Sequence, residues 1–236
     1  TARSRGLGDV YKRQALNIAR VLQLEKKDKG MNIMPLFHIH GLIASLLSSI
    51  VTGSSVVCTS GFNALTFYGN IKNFKPTWIT AVPTMYQAIL SRASRNREII
   101  QASSLRLLRS SSAAMPVATI EALENAFQCP VIEAYGMTEA SHQMASNFLD
   151  STRKPGSVGK SAGPEIALFR DNKLITDANT VGEIIIKGSN VTKGYKNNDK
   201  ANKENFFDGW FKTGDLGKFD EDGFLFISGR IKEIIN

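Results

Sequence analysis

The chain has 236 residues, of which 42% are hydrophobic and 21% charged, a balance typical of a globular protein with one large domain or two small ones. The formal net charge is +8, but the basic residues are scattered and no aromatic–basic repeat is present, which argues against nucleic-acid binding as the primary role. The longest apolar stretch, residues 39–57, is interrupted by histidine, serines and glycine and is too polar for a membrane span.

The first residues differ from the rest of the chain. The sequence DVYKRQ at residues 9–14 resembles a translated sequencing adapter, and the chain lacks an initiating Met. We therefore expect residues 1–14 to be non-native, exclude them from the fold prediction and read no targeting signal from them.

Cysteine is rare in this sequence. Cys58 and Cys129 each lie beside apolar residues typical of a buried strand or its edge. We expect two buried free thiols, which favours a reducing compartment over a secreted one.

Between about residue 31 and residue 135, apolar runs alternate with helical patterns. Strands are predicted at residues 32–37, 55–58, 77–82, 105–108 and 131–135. Helices are predicted at residues 41–51, 64–74 and 117–127, with a further helix that Pro83 opens. Strand–helix alternation of this kind predicts a parallel sheet with helices on both faces.

The pattern changes after about Pro155. Short strands at residues 166–169, 183–187 and 224–228 are separated by Gly, Asn and Asp, which predicts antiparallel hairpins. DEDG at residues 220–223 lacks the remaining ligands of a calcium loop and predicts a hairpin turn. The predicted fold class is therefore α/β, a parallel sheet with flanking helices followed by a small antiparallel β-barrel-like subdomain. We place the α/β part at residues 15–160 and the β-rich part at residues 161–229.

The sequence YGMTE at residues 135–139 follows a predicted strand, and ligands of parallel sheets bind outside the carboxyl ends of the strands. Gly136 allows the backbone to approach a ligand closely. The Thr138 hydroxyl can donate to a phosphate oxygen, and Glu139 is a hard oxygen ligand suited to Mg²⁺. The structural alternative is an ordinary strand-to-helix turn that Thr138 caps.

Two further polar residues suit a sugar or a phosphate. Asp215 lies between glycines in TGDLG at residues 213–217, and its carboxylate can accept from two ribose hydroxyls. Arg230 offers a planar fork of donors. The structural alternatives are a turn Asp that bonds its own backbone and a surface Arg in a solvated pair.

All three histidines, His38, His40 and His142, lie in segments that carry these motifs. A structural metal site is disfavoured because no Cys or carboxylate cluster joins them. A pocket that they line would favour a small, anionic, polar substrate. For His40, the alternative of a core histidine with satisfied hydrogen bonds stays open.

The order and spacing of residues 135–139, 213–217 and 229–233, with FHIHG at residues 37–41 upstream, resemble the adenylate-forming acyl-CoA synthetase family. The resemblance covers about residues 31–236. It implies activation of a small carboxylic acid to an acyl-adenylate and then to an acyl-CoA, with ATP, Mg²⁺ and coenzyme A. It also implies that the family's phosphate loop and C-terminal domain are missing, so we expect this fragment to have little or no activity.

The resemblance implies roles for individual residues. A catalytic role is implied for His38, Thr138 and Glu139, the last as the Mg²⁺ ligand, and residues 230–236 with Lys232 form the hinge to the missing domain. Tyr135 would lie against adenine and Asp215 on the ribose. The implied nucleotide-binding residues are Ser112, Ala113, Ala114, Tyr135, Gly136, Met137, Thr138, Asp215 and Arg230.

Three segments narrow the resemblance to the oxalate–CoA ligase branch: residues 35–41, 133–144 and 153–160. That branch implies a substrate site formed by His38, His40, Ser112 and His142. The alternatives are another acyl- or aryl-CoA ligase of the family, or a truncated, non-catalytic nucleotide- or partner-binding protein. Relatives of this kind imply a cytoplasmic or peroxisomal location.

Overall fold

A computed structural model of the chain describes residues 5–233. The first sheet has the strand order β2-β1-β3-β4-β5-β6-β7, in which β2 to β5 are parallel and β6 and β7 are added antiparallel. Its strands are β1 (Lys29–Asn32), β2 (Ser55–Cys58), β3 (Trp78–Ala81), β4 (Leu107–Ser110), β5 (Val131–Met137), β6 (His142–Ser146) and β7 (Lys160–Ser161).

Helices cover both faces of this sheet. They are α1 (Arg5–Val21), a π-helix (His40–Leu47) that continues into α2 (Ser48–Ile50), α3 (Phe67–Phe74), α4 (Pro83–Leu90), α5 (Arg97–Gln101) and α6 (Val117–Phe127). Because strand side chains alternate between faces, Leu107 packs towards α1 and the π-helix, whereas Leu108 packs towards α3 to α6. The predicted parallel sheet with flanking helices is confirmed.

The second sheet is antiparallel and has the order β11-β12-β10-β8-β9, with β13 paired to β12. Its elements are β8 (Glu165–Arg170), β9 (Lys173–Ile175), β10 (Gly182–Lys187), α7 (Asp199–Asn205), β11 (Phe206–Phe207), β12 (Trp210–Phe219) and β13 (Leu225–Arg230). Its core residues Ile184, Phe211 and Leu225 pack against Met144 of β6, so the two sheets share one apolar contact region. The predicted β-rich subdomain is confirmed, as is the hairpin turn between β12 and β13.

Several local predictions were wrong in position. Strand β1 ends at Asn32 and does not run to residue 37, because the Asn32 side chain bonds both backbone groups of Met34 and turns the chain before Pro35. The long strand β12, which contains residues 213–217, was not predicted because its glycines and charged residues mask the alternation. Helix α1 includes residues 5–14, which we had excluded from the fold; their non-native origin stays a prediction.

The two thiols differ from the expectation. Both are free, but only Cys129 is buried, whereas Cys58 is exposed. Cys58 ends β2, which is the edge strand of the first sheet, so it lacks a neighbouring strand on one side.

Within residues 5–233, no helix combines the length and the apolar character that crossing a membrane requires.

The connection between the sheets depends on a glycine. The Gly159 carbonyl accepts from Leu225 N at 2.8 Å, and Gly159 has a φ of +81°. A Cβ at this position would lie 2.0 Å from the carbonyl group of Ser146. Neither the left-handed conformation nor this backbone contact accommodates a side chain.

We expect Gly159→Ala to lower the free energy of unfolding by about 3 kcal/mol or more, because strain and overpacking add. Gly223→Ala is the matched control: its φ is +77° but a Cβ would meet no atom within 4 Å, so only about 1 kcal/mol is expected. Urea unfolding of both variants measures the difference, and equal losses would contradict the packing argument.

Candidate active site

Two adjoining cavities lie where the carboxyl ends of β4 and β5 face the second sheet. The first has a volume of about 490 Å³ and the second about 660 Å³, and Ser112, Gly136 and Arg230 line both. The first cavity is also lined by Ser110, Ala113, Ala114, Glu133, Tyr135 and Asp215, among others. The second cavity is also lined by His38, Met137, Thr138, Glu139, His142, Tyr195, Thr213 and Lys232, among others.

Asp215 connects the two sheets at the first cavity. Its Oδ2 accepts a short hydrogen bond from the Tyr135 hydroxyl, and its Oδ1 accepts from Arg230 Nε at 2.8 Å. Asp215 is buried, whereas the Arg230 side chain is 62% exposed. Burial, together with the Asp215 carboxylate, raises the pKa of Tyr135, so its hydroxyl stays protonated and donates. The structure therefore joins three residues that the sequence placed in one nucleotide site.

Residues 135–139 form a strand and a turn, not the start of an α-helix. Strand β5 runs to Met137, a single 3₁₀ turn follows at Thr138–Ala140, and β6 then returns along β5. Gly136 is needed for this return, because a Cβ there would lie 1.9 Å from the carbonyl oxygen of His142. The close approach that the glycine permits is thus to β6.

The turn places Thr138 and Glu139 in the second cavity. Thr138 is exposed, and Glu139 is half-buried with its Oε1 accepting from the Tyr195 hydroxyl at 2.8 Å. Within residues 5–233, no group of three His, Cys, Asp or Glu side chains converges as a metal cage. A single accessible carboxylate nevertheless fits Mg²⁺, which keeps several waters and takes further ligands from substrate phosphates.

The loop after β4 carries Ser112, Ala113 and Ala114, and all three are exposed. Ser112 has a φ of +75°, a region that non-glycine residues rarely adopt. This conformation brings its Oγ to 3.0 Å from Nδ1 of His40.

The three histidines have different environments. His38 is exposed, and its Nδ1 accepts from the backbone N–H of His40. His40 is buried with both ring nitrogens in hydrogen bonds, to Ser112 and to Thr80 Oγ1 at 2.6 Å. His142 is also buried and stacks on His40 with the ring centroids 5.2 Å apart. Burial, and next the nearby cation of Arg109, hold the pKa of both buried rings well below its usual range, so both are neutral.

Arg109 is the main residue that the sequence analysis missed. It lies at the third position of β4 and is fully buried. It donates from Nη1 to Thr80 Oγ1 at 3.3 Å, and from Nη2 to Gln143 Oε1 at 3.1 Å and His142 Nε2 at 3.3 Å. Burial lowers the pKa of Arg109 to about 10, so the guanidinium is charged at neutral pH. The available signal was a charged residue directly after an apolar run, where we had ended the strand at residue 108.

Lys232 lies in a 3₁₀ turn, Ile231–Glu233, and is exposed at the second cavity. Part of the predicted hinge, residues 234–236, lies outside the described residues. The hinge role therefore stays a prediction.

A sequence profile described as AMP-binding enzyme matches residues 9–196. The chain belongs to the AMP-binding enzyme family. Among curated relatives, it is 48% identical to an oxalate–CoA ligase of Arabidopsis thaliana, over 93% of this chain and 43% of that protein. It is 45% identical to an oxalate–CoA ligase of Saccharomyces cerevisiae, over 95% of this chain and 41% of that protein. The chain thus spans less than half the length of these relatives.

Solved structures agree with the fold. The o-succinylbenzoate coenzyme A synthetase of Bacillus subtilis in complex with ATP and magnesium is 34% identical with a TM-score of 0.84. The match covers 96% of this chain and 46% of that one. MatB of Rhodopseudomonas palustris with bound ATP is 29% identical with a TM-score of 0.88, and the match covers 96% and 45% of the two chains.

Glu133 provides a test of the buried site. It is buried beside the first cavity, where its Oε2 accepts from Gly156 N at 2.9 Å, and burial raises its pKa from 4.5 to about 7. The folded state therefore binds this proton more tightly than the unfolded state. The stabilising contribution is complete below about pH 4.5 and is lost as the pH rises through about 7.

We expect Glu133→Gln, which keeps the acceptor for Gly156, to remove this loss. Its unfolding free energy should rise relative to the wild type by about 1.4 kcal/mol per pH unit between about pH 4.5 and 7. Urea unfolding at about pH 5 and about pH 8 measures the difference. Glu121→Gln, at an exposed position of α6, should show no such trend; the same trend in both variants would contradict the assignment to Glu133.

Proposed function

We propose that the chain is part of an AMP-forming acid–thiol ligase, which activates a carboxylic acid with ATP and transfers the acyl group to coenzyme A. The observation that carries the proposal is the junction of the two cavities at Ser112, Gly136 and Arg230. One cavity holds groups suited to a nucleoside, and the other holds groups suited to phosphate, Mg²⁺ and an acid. Membership of the AMP-binding enzyme family and the curated CoA ligases among its relatives support the same reaction.

In the first cavity, the small side chains of Ala113 and Ala114 leave room for a flat base between their loop and Tyr135. Asp215 is suited to the ribose hydroxyls, because each carboxylate oxygen has a second lone pair beside the bond that it already accepts. Arg230 adds a positive charge next to the Asp215 carboxylate. Gly136 and Met137 supply the backbone that leads from this cavity to the phosphate region.

In the second cavity, Thr138 would donate to a phosphate oxygen and Glu139 would hold Mg²⁺. The ion supplies charge neutralisation for the phosphates when it is bound. The hydrogen bond from Tyr195 fixes one oxygen of Glu139 and so orients the carboxylate. His38, exposed at the same cavity, is placed to contact the reacting acid.

Two steps follow from this arrangement. A carboxylate oxygen of the acid attacks the α-phosphorus of ATP, and pyrophosphate leaves with the electron pair of the broken P–O bond. The thiol of coenzyme A then displaces AMP from the acyl-adenylate and loses its proton. Lys232 would be the hinge that lets the rest of the enzyme change position between the steps.

The acid is proposed to be a small dicarboxylate, oxalate first. His142 and Ser112 present polar groups at the second cavity, and the buried His40 contacts both from behind. The relatives named for oxalate and for sulfoacetate both act on an acid with a second anionic group. A cytoplasmic or peroxisomal location stays a prediction.

The test uses the complete reading frame that contains this chain. Expressed enzyme is assayed for pyrophosphate release with ATP, Mg²⁺, coenzyme A and a panel of oxalate, other dicarboxylates, fatty acids and aromatic acids. Release with oxalate but not with fatty or aromatic acids is expected. Release with another acid would retain the reaction and refute the substrate, and no release with any acid would favour a non-catalytic nucleotide-binding protein.

Asp215→Asn tests the nucleotide site in the same enzyme. Replacing the carboxylate weakens acceptance from ribose hydroxyls and from Arg230, so we expect ATP affinity to fall about tenfold or more. Asp171→Asn removes the same charge from an exposed turn and should leave the affinity unchanged. Isothermal titration with ATP and Mg²⁺ measures both, and equal affinities for the Asp215 variant and the wild type would refute the assignment.

A further inference from the structure

Arg109 is a fully buried cation with neutral neighbours. Its partners are a hydroxyl, a neutral imidazole and an amide, those of Thr80, His142 and Gln143. Across residues 5–233, the ion pairs of 4.0 Å or less involve other Lys and Arg side chains. Its Nε is also buried without a partner there. Because an uncompensated buried charge is costly, this one calls for an anion that the described residues do not supply.

The first chain of hydrogen bonds passes through His142. A guanidinium can only donate, so Nε2 of His142 must accept from Arg109 Nη2. The neutral ring then carries its proton on Nδ1. Among the described residues Nδ1 has no hydrogen-bond partner, yet it is not one of the enclosed, unpartnered atoms. His142 therefore offers an Nδ1–H donor to the second cavity, which it lines.

The second chain passes through Thr80 and His40. The Thr80 hydroxyl accepts from Arg109 Nη1, and its own proton has one described acceptor, Nε2 of His40 at 2.6 Å. The reverse assignment would leave the buried hydroxyl proton without an acceptor, which is unfavourable. His40 thus carries its proton on Nδ1 and donates to Ser112 Oγ at 3.0 Å. The Ser112 hydroxyl proton is then directed to the cavities that Ser112 lines.

We propose that Arg109 is a positioning residue that sets the direction of both hydrogen-bond chains, so that Ser112 Oγ and His142 Nδ1 present protons to an anionic group of the acid substrate. The bound anion is the counter-charge of Arg109, although no direct contact is required. The identity of the ligand as an acid with a second anionic group rests on the proposed function. The donor directions rest only on the hydrogen bonds of the described residues and do not depend on the proposed function.

The donor directions are measured first, on this chain, which has three histidines. Histidine-selective ¹⁵N labelling with long-range ¹H–¹⁵N spectra reports which ring nitrogen carries the proton. We expect Nδ1–H and an acceptor Nε2 for both His40 and His142. A proton on Nε2 of either ring in the wild type would overturn the proposal.

Thr80→Val interrupts the hydrogen bonds that run through His40 and leaves those of His142 in place. It removes the donor to Nε2 of His40 at nearly unchanged volume, whereas His40 Nδ1–H keeps its acceptor, Ser112. The ¹⁵N resonance of His40 Nε2 should therefore move to that of an imine nitrogen without a hydrogen bond, while the resonances of His142 stay unchanged. Arg109→Met removes the donors to His142 Nε2 and to Thr80 Oγ1, so neither His142 nor His40 should be restricted to the Nδ1–H form. If Arg109→Met does not fold, Thr80→Val still tests the hydrogen bonds through His40; an unchanged His40 Nε2 resonance in that variant would contradict donation from Thr80.

The functional consequence is measured on the complete enzyme, with oxalate and acetate as substrates. Arg109→Met should reduce kcat/KM for oxalate about tenfold or more beyond its effect on acetate, since the second carboxylate loses charge-assisted binding. Arg109→Lys should recover part of the loss, and Arg95→Met, at an exposed position, should change neither substrate. Equal losses for oxalate and acetate in Arg109→Met would overturn the role of Arg109.

The two measurements separate this proposal from the proposed function. A wild-type enzyme that activates neither oxalate nor acetate refutes the proposed substrates. The tautomers of His40 and His142 still test the proposed hydrogen-bond directions. Conversely, activation of oxalate by an enzyme in which either ring is protonated on Nε2 would support the proposed function and refute the proposed hydrogen-bond directions.

Discussion

Strand β6 returns along β5 directly after a single turn, and at Gly136 the two backbones approach so closely that no side chain fits between them. This pairing sets the positions of most groups in the site. It places Thr138 and Glu139 at the tip of the turn, in the second cavity. It also brings His142 and Gln143 within hydrogen-bond distance of the Arg109 side chain, which reaches them from β4. Without the return, the end of β5 would be an ordinary strand terminus.

The same strand also joins the two halves of the chain. Met144 and Ala145 of β6 pack into the core of the second sheet, and the Thr192 N–H bonds the carbonyl of Glu139. The second sheet in turn supplies Asp215 to Tyr135. Each cavity is therefore lined by residues from both sheets, and the orientation of one sheet on the other determines the geometry of the site.

The electrostatics of the two cavities differ in a way that suits a reaction between a nucleotide and an acid. The first cavity contains a buried carboxylate, Asp215, that accepts hydrogen bonds. The buried cation of Arg109 lies behind the second cavity and is surrounded by neutral donors and acceptors. Low solvent access makes both charges effective over short distances. The two cavities, which share Ser112, Gly136 and Arg230, therefore differ in the charge that lies next to them.

The apolar runs between residues 31 and 135 predicted the order of strands β1 to β5 correctly, and also α3, α4 and α6, but not α1 or α5. Buried parallel strands and the faces of longer helices carry a strong local pattern. Strand β2 and helix α6 have the predicted bounds. The prediction failed where side chains or glycines override that pattern, as at Asn32 and in strand β12. The predicted burial of Cys58 was wrong because the sequence does not reveal that β2 is an edge strand.

The sequence by itself determined the family resemblance, the two kinds of sheet and the motifs at residues 135–139 and 213–217, because these depend on short segments with fixed spacing. Only the tertiary structure decided that Tyr135 and Arg230 both contact Asp215, and that Arg109 lies behind Ser112 and His142. Such contacts join residues far apart in the chain, and an isolated Arg after an apolar run carries no local mark of its partners. The physical reason is that its environment is created by three strands and a loop that meet only when the sheet forms.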